Sequence, residues 1–67
     1  MYFNYHAKIQ RLIKEKHAVY YEYLESYHNI SPCLLIHFDD GVSYPIRKHK
    51  FDEYEFLLAK FDIPRKN

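Results

Sequence analysis

Five histidines are the side chains of this sequence that lend themselves most readily to chemistry, as metal ligands or as acid–base groups. They are His6, His17, His28, His37 and His49, roughly eleven residues apart. Zinc sites draw their ligands from compact motifs, such as paired cysteines a few residues apart or two histidines on one helix face. Because each histidine here falls on a different predicted element, we expect no metal site and no cofactor.

Nucleophilic catalysis has one cysteine to draw on, Cys33. It precedes an apolar strand, where a free cysteine is typically a buried packing residue, and no electropositive turn surrounds it to activate the thiol. His37 with Asp39 or Asp40 is a candidate acid–base pair, but the spacing of His37 and Asp39 fits the edge of a turn equally well. With a single glycine, Gly41, the chain has no loop of the kind that cradles a phosphate. The sequence therefore predicts a protein that is not an enzyme.

Basic residues suggest a second chemistry, the binding of RNA or DNA, through one side of a first helix and the turn before a second. The candidates are Lys8, Arg11, Lys14, Arg47, Lys48 and Lys50. Phosphate affinity grows with the number of cations that reach the nucleic-acid backbone. The formal net charge is only +1, and three acidic residues in the first turn of the second helix would repel phosphates. We expect nucleic-acid binding to be weak, and a solvated outer surface is the alternative interpretation.

A predicted β-hairpin over 34–46 is the central element among those that position these residues. A three-residue loop, 39–41, places six apolar side chains on one face of the sheet, as the cross-strand pairs Phe38–Val42, Ile36–Tyr44 and Leu34–Ile46. A two-residue loop would split this apolar set between the faces, so the pattern selects the longer loop. Gly41 supplies the left-handed residue that such a loop needs. Pro45 cannot donate to a ladder, which predicts an edge position for this strand.

A strand over 18–25 and a helix over 4–16 precede the hairpin. Burying Glu22 without a partner would cost several kcal/mol by order of magnitude, so we expect Val19, Tyr21 and Tyr23 to face inward. The helix is expected to begin with Asn4 as its cap. Its apolar stripe consists of Tyr5, Ile9, Leu12 and Ile13.

A second helix follows the hairpin. Asp52 and Glu55 have the spacing of a capping box, and Phe51 and Phe56 that of a hydrophobic staple. The predicted apolar stripe consists of Tyr54, Leu57, Leu58 and Phe61. Pro64 ends the helical pattern, and we expect the tail over 64–67 to be frayed.

The predicted fold is a single α+β domain over 1–67, in the order α-β-β-β-α, with a three-stranded antiparallel sheet. Both helices are expected to pack on one face of the sheet. The other face then leaves a patch rich in apolar side chains in water, which on a small protein usually marks a contact surface. The predicted interface residues are Tyr20, Leu24, Cys33, Leu35 and His37. The leading hypothesis is therefore a small protein-interaction module that binds a partner protein or a second copy of itself.

Two other functions fit the same sequence. The order of elements and the length are similar to those of the double-stranded-RNA-binding domain, in layout alone, and that likeness implies phosphate contacts from the lysines before the second helix. Small size and surplus tyrosines also fit a phage-type inhibitor of a host protein. No stretch has the form of a signal peptide or approaches the ~20 apolar residues that cross a bilayer. We therefore expect a cytoplasmic protein.

Overall fold

The computed structural model describes residues 5–67, and these form a helix, three antiparallel strands and a second helix. The elements are α1 (Tyr5–Lys14), β1 (Ala18–Leu24), β2 (Cys33–Phe38), β3 (Ser43–Arg47), a 3-10 turn (Lys48–Lys50) and α2 (Phe51–Lys60). The strand order is β1-β2-β3. The predicted α-β-β-β-α fold is thus confirmed. No helix within residues 5–67 has the length and apolar character to span a membrane.

The hairpin has the predicted register. Ile36 lies opposite Tyr44 and Leu34 opposite Ile46. The Phe38 N–H donates to the Val42 carbonyl at 3.0 Å, and the Gly41 N–H donates back to the Phe38 carbonyl at 3.0 Å, which closes the three-residue loop. Gly41 has φ +84°, the left-handed conformation that the loop requires. β3 is an edge strand, as Pro45 predicts.

The core lies between one face of the sheet and both helices. Each helix contributes two fully buried side chains, Ile9 and Ile13 from α1 and Tyr54 and Leu58 from α2. The central sheet residues opposite them are Leu34, Ile36 and Ile46, all fully buried. Tyr5, Leu12, Leu57 and Phe61 pack at the margin of this cluster. Both predicted apolar stripes are confirmed, and together they account for the packing of the helices on a single face.

A β-bulge changes the start of β1. Ala18 pairs with Phe38 and Tyr20 with His37, so Val19 is an extra residue without a partner in the ladder. Val19 is 47% exposed, and the predicted inward position is wrong; Ala18, at 9%, is the buried residue at this point. Beyond the bulge the alternation resumes, and Tyr21 and Tyr23 pack against the core as predicted.

Both helices begin or end differently from their predicted bounds. α1 ends at Lys14, and Lys16 has φ +65°, which turns the chain toward β1. The predicted cap Asn4 lies outside the described residues. α2 begins at Phe51 after the 3-10 turn, so Asp52 lies inside the first turn and the predicted capping box is wrong. The predicted staple is also wrong, because Phe56 points to solvent with 71% of its surface exposed.

The C-terminal segment, Pro64–Asn67, pairs with the outer edge of β1 and contradicts the predicted fraying. The Tyr21 N–H donates to the Pro64 carbonyl at 3.0 Å, and the Lys66 N–H donates to the Tyr21 carbonyl at 2.8 Å, as in a short parallel strand. The Asn67 side chain accepts from the Tyr23 N–H at 3.1 Å and donates to the Tyr23 carbonyl at 2.7 Å. The segment therefore satisfies backbone groups that an open strand edge would leave to water.

Candidate functional surface

The outer sheet face is the surface that neither helix covers. It is formed by Tyr20, Glu22 and Leu24 of β1, by Cys33, Leu35 and His37 of β2, and by Ser43, Pro45 and Arg47 of β3. Strand residues alternate between faces, and the apolar core cluster of the two helices contains none of these nine residues. All five predicted interface residues lie on this face.

Two of the predicted interface residues are less accessible than expected. Cys33 is 0% and Leu35 5% exposed, whereas the sequence predicts that both lie in water. Both are on the central strand, flanked across the sheet by larger side chains: Leu24 and Arg47 beside Cys33, Glu22 and Pro45 beside Leu35. The apolar atoms that a partner can reach on this part of the face therefore belong mainly to the outer strands, at Leu24 and Pro45.

Cys33 is a packing residue rather than a nucleophile. Burial is the main influence on its thiol and raises the pKa, which opposes formation of the reactive thiolate. This agrees with the sequence-based interpretation of the residue as a buried thiol.

His37 is the centre of a polar network on this face. Its Nε2 lies 2.6 Å from Glu22 Oε2, and its Nδ1 lies 2.7 Å from Ser43 Oγ. The ring of Tyr20 stacks on the imidazole, with 4.3 Å between centroids and 23° between planes. Glu22 and His37 keep only 17% and 21% of their side-chain surfaces exposed. One tautomer of His37 satisfies both hydrogen bonds: the Ser43 hydroxyl donates to Nδ1, and Nε2–H donates to the Glu22 carboxylate.

Sequence reasoning did not find this network. It considered Asp39 or Asp40 as the partner of His37, but the Asp39 carboxylate lies 2.9 Å from His17 Nδ1, and Asp40 Oδ1 accepts the Val42 N–H at 2.9 Å. The predicted hairpin register already places Ser43 directly across from His37, which was the available signal. Glu22 could not be placed from sequence, because the β1–β2 register depends on the bulge at Val19.

Tyr20 is enclosed on both sides. β1 lies between β2 and the C-terminal segment, so His37 approaches the ring from one side and Lys66 from the other, with Lys66 Nζ 5.4 Å from the ring centroid. His37 therefore already occupies one face of the Tyr20 ring, and that face is not open for stacking against a nucleic-acid base.

Of the other histidines, His6 and His17 have hydrogen-bond partners of their own. His6 Nδ1 lies 2.8 Å from the hydroxyl of the buried Tyr54, and burial, followed by the charge of Lys50, lowers the pKa of His6. Burial raises the pKa of Tyr54 to about 12, so this phenol stays neutral. No group of three or more potential metal ligands comes together within residues 5–67.

The basic residues predicted to bind nucleic acid do not form one uniform surface. Lys8 Nζ lies 5.6 Å from the Tyr44 ring centroid, and Lys50 Nζ lies 3.7 Å from a carboxylate oxygen of Glu53. Arg11 and Lys14 are exposed along α1. At the end of the sheet, a cleft of about 560 Å³ is lined by Ile30, Ser31, Pro32, Arg47, Lys48, His49 and Asp52.

Comparison with protein-family models, with curated proteins and with solved structures gives no match.

Proposed function

We propose that the chain is a small protein-interaction module that binds a partner protein through its outer sheet face. The observation that carries this proposal is the one-sided packing: the side chains of both helices join the apolar core on one face of the sheet, and none of the nine outer-face residues belongs to that core. Leu24 and Pro45 flank the buried centre of that face and are themselves only half-buried. They offer apolar atoms to a partner on a rigid β-sheet.

The polar groups on this face support the same proposal. Burying a polar group at an interface is costly when its hydrogen bonds to water are not replaced. The side chains of Glu22, His37 and Ser43 already bond to one another. A partner that covers the face therefore does not have to supply hydrogen bonds to all three.

The charges around the face favour an acidic partner. Arg47 is exposed at one end of β3, and Lys66 lies over Tyr20 at the opposite edge of the sheet. The carboxylate on the face, Glu22, is engaged by His37. The result is two cations near the apolar flanks of the face, which complement a protein surface with acidic residues around an apolar contact.

Binding by addition of a strand at a sheet edge is the less suitable mode. The C-terminal segment already occupies the β1 edge around Tyr21. On β3, Pro45 has no N–H to donate, and its carbonyl accepts the Tyr5 hydroxyl at 3.3 Å. The face, rather than either edge, is thus the surface that we propose for the partner.

Capture from a nuclease-treated lysate with matched variants tests the proposal. We expect Leu24→Glu and Arg47→Glu to lose a protein that the unmodified chain retains, and Arg11→Glu on the outer side of α1 to retain it. Light scattering of the purified chain distinguishes a foreign partner from a second copy. Equal capture by all three variants would show that this face is not the binding surface. If the partner is an enzyme that loses activity when bound, the chain is an inhibitor of the kind considered from sequence.

Nucleic-acid binding is the second candidate, and the cleft beside Arg47, Lys48 and His49 favours it. Within residues 5–67, neither Arg47 nor Lys48 makes an ion pair with an acidic side chain. A generic RNA duplex, titrated at low salt, tests this function. Affinity that falls steeply with salt and with Lys48→Glu would support it, and absence of binding at low salt would exclude it.

A further inference from the structure

The hydrogen-bonded chain Ser43–His37–Glu22 has the order of groups that activates a serine for nucleophilic attack. In such sites a hydroxyl donates to an imidazole nitrogen, and the other ring nitrogen donates to a carboxylate that fixes the tautomer. Here the two separations are 2.7 Å and 2.6 Å, both within direct hydrogen-bond reach. We propose that Ser43, His37 and Glu22 form an acyl-transfer site for short-chain carboxylic esters. This inference does not depend on the proposed protein interaction.

The imidazole is held in place from three sides. Glu22 and Ser43 engage its two nitrogens, and the Tyr20 ring stacks on its face at 4.3 Å. Most of the His37 and Glu22 side-chain surface is removed from water. A fixed, partly desolvated base beside a hydroxyl is the arrangement in which proton transfer is efficient, because little reorganisation precedes the reaction.

Space for a substrate lies next to the serine. A shallow cleft of about 300 Å³ is lined by Val19, Tyr20, His37, Phe38, Gly41 and Ser43. Its walls combine apolar surface with the polar groups of His37 and Ser43, and its volume is at the lower end of that of ligand sites. This fits a short acyl group rather than a long chain or a charged head. The exposure of Val19 at the β-bulge contributes directly to this cleft.

A donor for the developing oxyanion is available on the same strand. The Phe38 N–H bonds to the Val42 carbonyl, and antiparallel ladders alternate, so the Ser43 N–H points from β3 toward its open edge. Of its neighbours, Gly41 N–H is bonded to the Phe38 carbonyl and Val42 N–H to Asp40 Oδ1 at 2.9 Å. The amide of the nucleophile itself is therefore the group that can stabilise the tetrahedral oxygen.

The reaction balances without a further reagent. Ser43 Oγ forms a bond to the ester carbonyl carbon, and the hydroxyl proton passes to His37 Nδ1. The bond between the acyl carbon and the alcohol oxygen then breaks, and the alcohol takes the proton from His37. Water repeats the sequence on the acyl-serine, losing a proton to Nδ1 and releasing the carboxylic acid and free Ser43. Glu22 is a positioning residue that stabilises the charged imidazole.

Reaction with 4-nitrophenyl acetate and with a fluorophosphonate tests the proposal. Any histidine hydrolyses an activated ester slowly, so the deciding readout is the modified residue, located by peptide mass spectrometry. We expect one label per chain on Ser43, none on that peptide in Ser43→Ala, and unchanged labelling in the control Ser26→Ala. If the alanine variant does not fold, Ser43→Thr takes its place. Threonine is favoured in strands and retains a hydroxyl, so the label should stay on residue 43.

Turnover provides the second readout. We expect His37→Gln to lower kcat by about 10²-fold or more, as loss of a positioned base does, and the exposed His49→Gln to leave it unchanged. Glu22→Gln should lower kcat by about tenfold with KM unchanged, which a merely structural role would not produce. Labels scattered over tyrosines and lysines, or full turnover by Ser43→Ala, would overturn the assignment.

Discussion

His17 joins the end of α1 to the hairpin loop through its backbone and its side chain. Its carbonyl accepts the Asp39 N–H at 2.9 Å, and its Nδ1 lies 2.9 Å from the Asp39 carboxylate. The hydrogen bond and charge of Asp39 raise the pKa of His17 above its usual value of about 6.5. Because both side chains are exposed to solvent, we expect the contact to change the pKa of His17 and the order of the hairpin loop rather than the packing of the core.

The His17–Asp39 contact predicts a pH dependence of definite sign. A raised pKa in the folded state means that the contact stabilises the fold fully below about pH 6.5, and that this contribution is lost as pH rises through the folded-state pKa. We expect Asp39→Asn to lower the pKa of His17 in an NMR titration. An unchanged His17 pKa in the variant would mean that the two side chains do not interact in solution.

At the scale of elements, α2 presents one side chain that the structure places differently from the sequence-based prediction, Phe56, and one that it places as predicted, Leu58. Phe56, assigned to a staple from its spacing, is 71% exposed, and Leu58 is fully buried in the core. Helical spacing places Phe56 on a different face from the buried Tyr54 and Leu58, so its side chain points to solvent.

These two residues form a matched test of the helix face. We expect Leu58→Ala to lower the free energy of unfolding by about 2–5 kcal/mol, as for other buried leucines. Phe56→Ala should change it by no more than about 0.5 kcal/mol. Urea denaturation of both variants measures the difference, and comparable losses would show that Phe56 is packed after all.

The hairpin loop depends on the conformation of one residue. Gly41 has φ +84°, and a Cβ built there meets no atom within 4 Å. The cost of a side chain is therefore conformational rather than steric, about 1–2 kcal/mol for alanine in a left-handed conformation. We expect thermal unfolding of Gly41→Ala to show that loss, and Gly41→Asn, which tolerates this conformation better, to recover part of it. Equal stability of the two variants would contradict this account.

The sequence predicts the hairpin register and the buried faces of the helices well, because local periodicity determines both. The alternation from Leu34 to Ile46 fixes the hairpin register, because a shift by one residue would reverse the apolar face. Both helix stripes follow from spacing in the same way. The bulge at Val19 has no such signal, because it arises from how β1 meets β2 rather than from its own residues. The network of His37 with Glu22 depends on that bulge and was missed with it.

At the scale of the whole molecule, the sheet is closed on one side by residues distant in sequence. Pro64–Asn67 bonds to β1 through backbone groups and through the Asn67 side chain. The local sequence, a short polar tail that begins with a proline, predicts a frayed end. The tail is ordered by its hydrogen bonds to Tyr21 and Tyr23. Arg65 adds a contact with the Tyr23 ring, 4.5 Å from its centroid. The order of this segment is thus a tertiary property that local sequence patterns do not reveal.

Removing the segment gives a prediction for the whole fold. We expect a chain ending at Ile63 to unfold at lower urea concentration and to self-associate, because the β1 edge would be open to another chain. Each lost hydrogen bond contributes about 0.5–1.5 kcal/mol. Lys66→Ala is the control, since it keeps the backbone bonds. A truncated chain that stays monomeric in light scattering and retains full stability would show that the pairing contributes little.

The amide of Tyr21 offers a direct view of how this molecule opens. Its proton is held by the Pro64 carbonyl, whereas protons in the middle of the sheet are held between neighbouring strands. In native-state hydrogen–deuterium exchange, the Tyr21 proton should therefore exchange whenever the segment detaches, and the central ones only when the sheet itself separates. The difference between their exchange rates measures how much more readily the last residues detach than the rest of the fold.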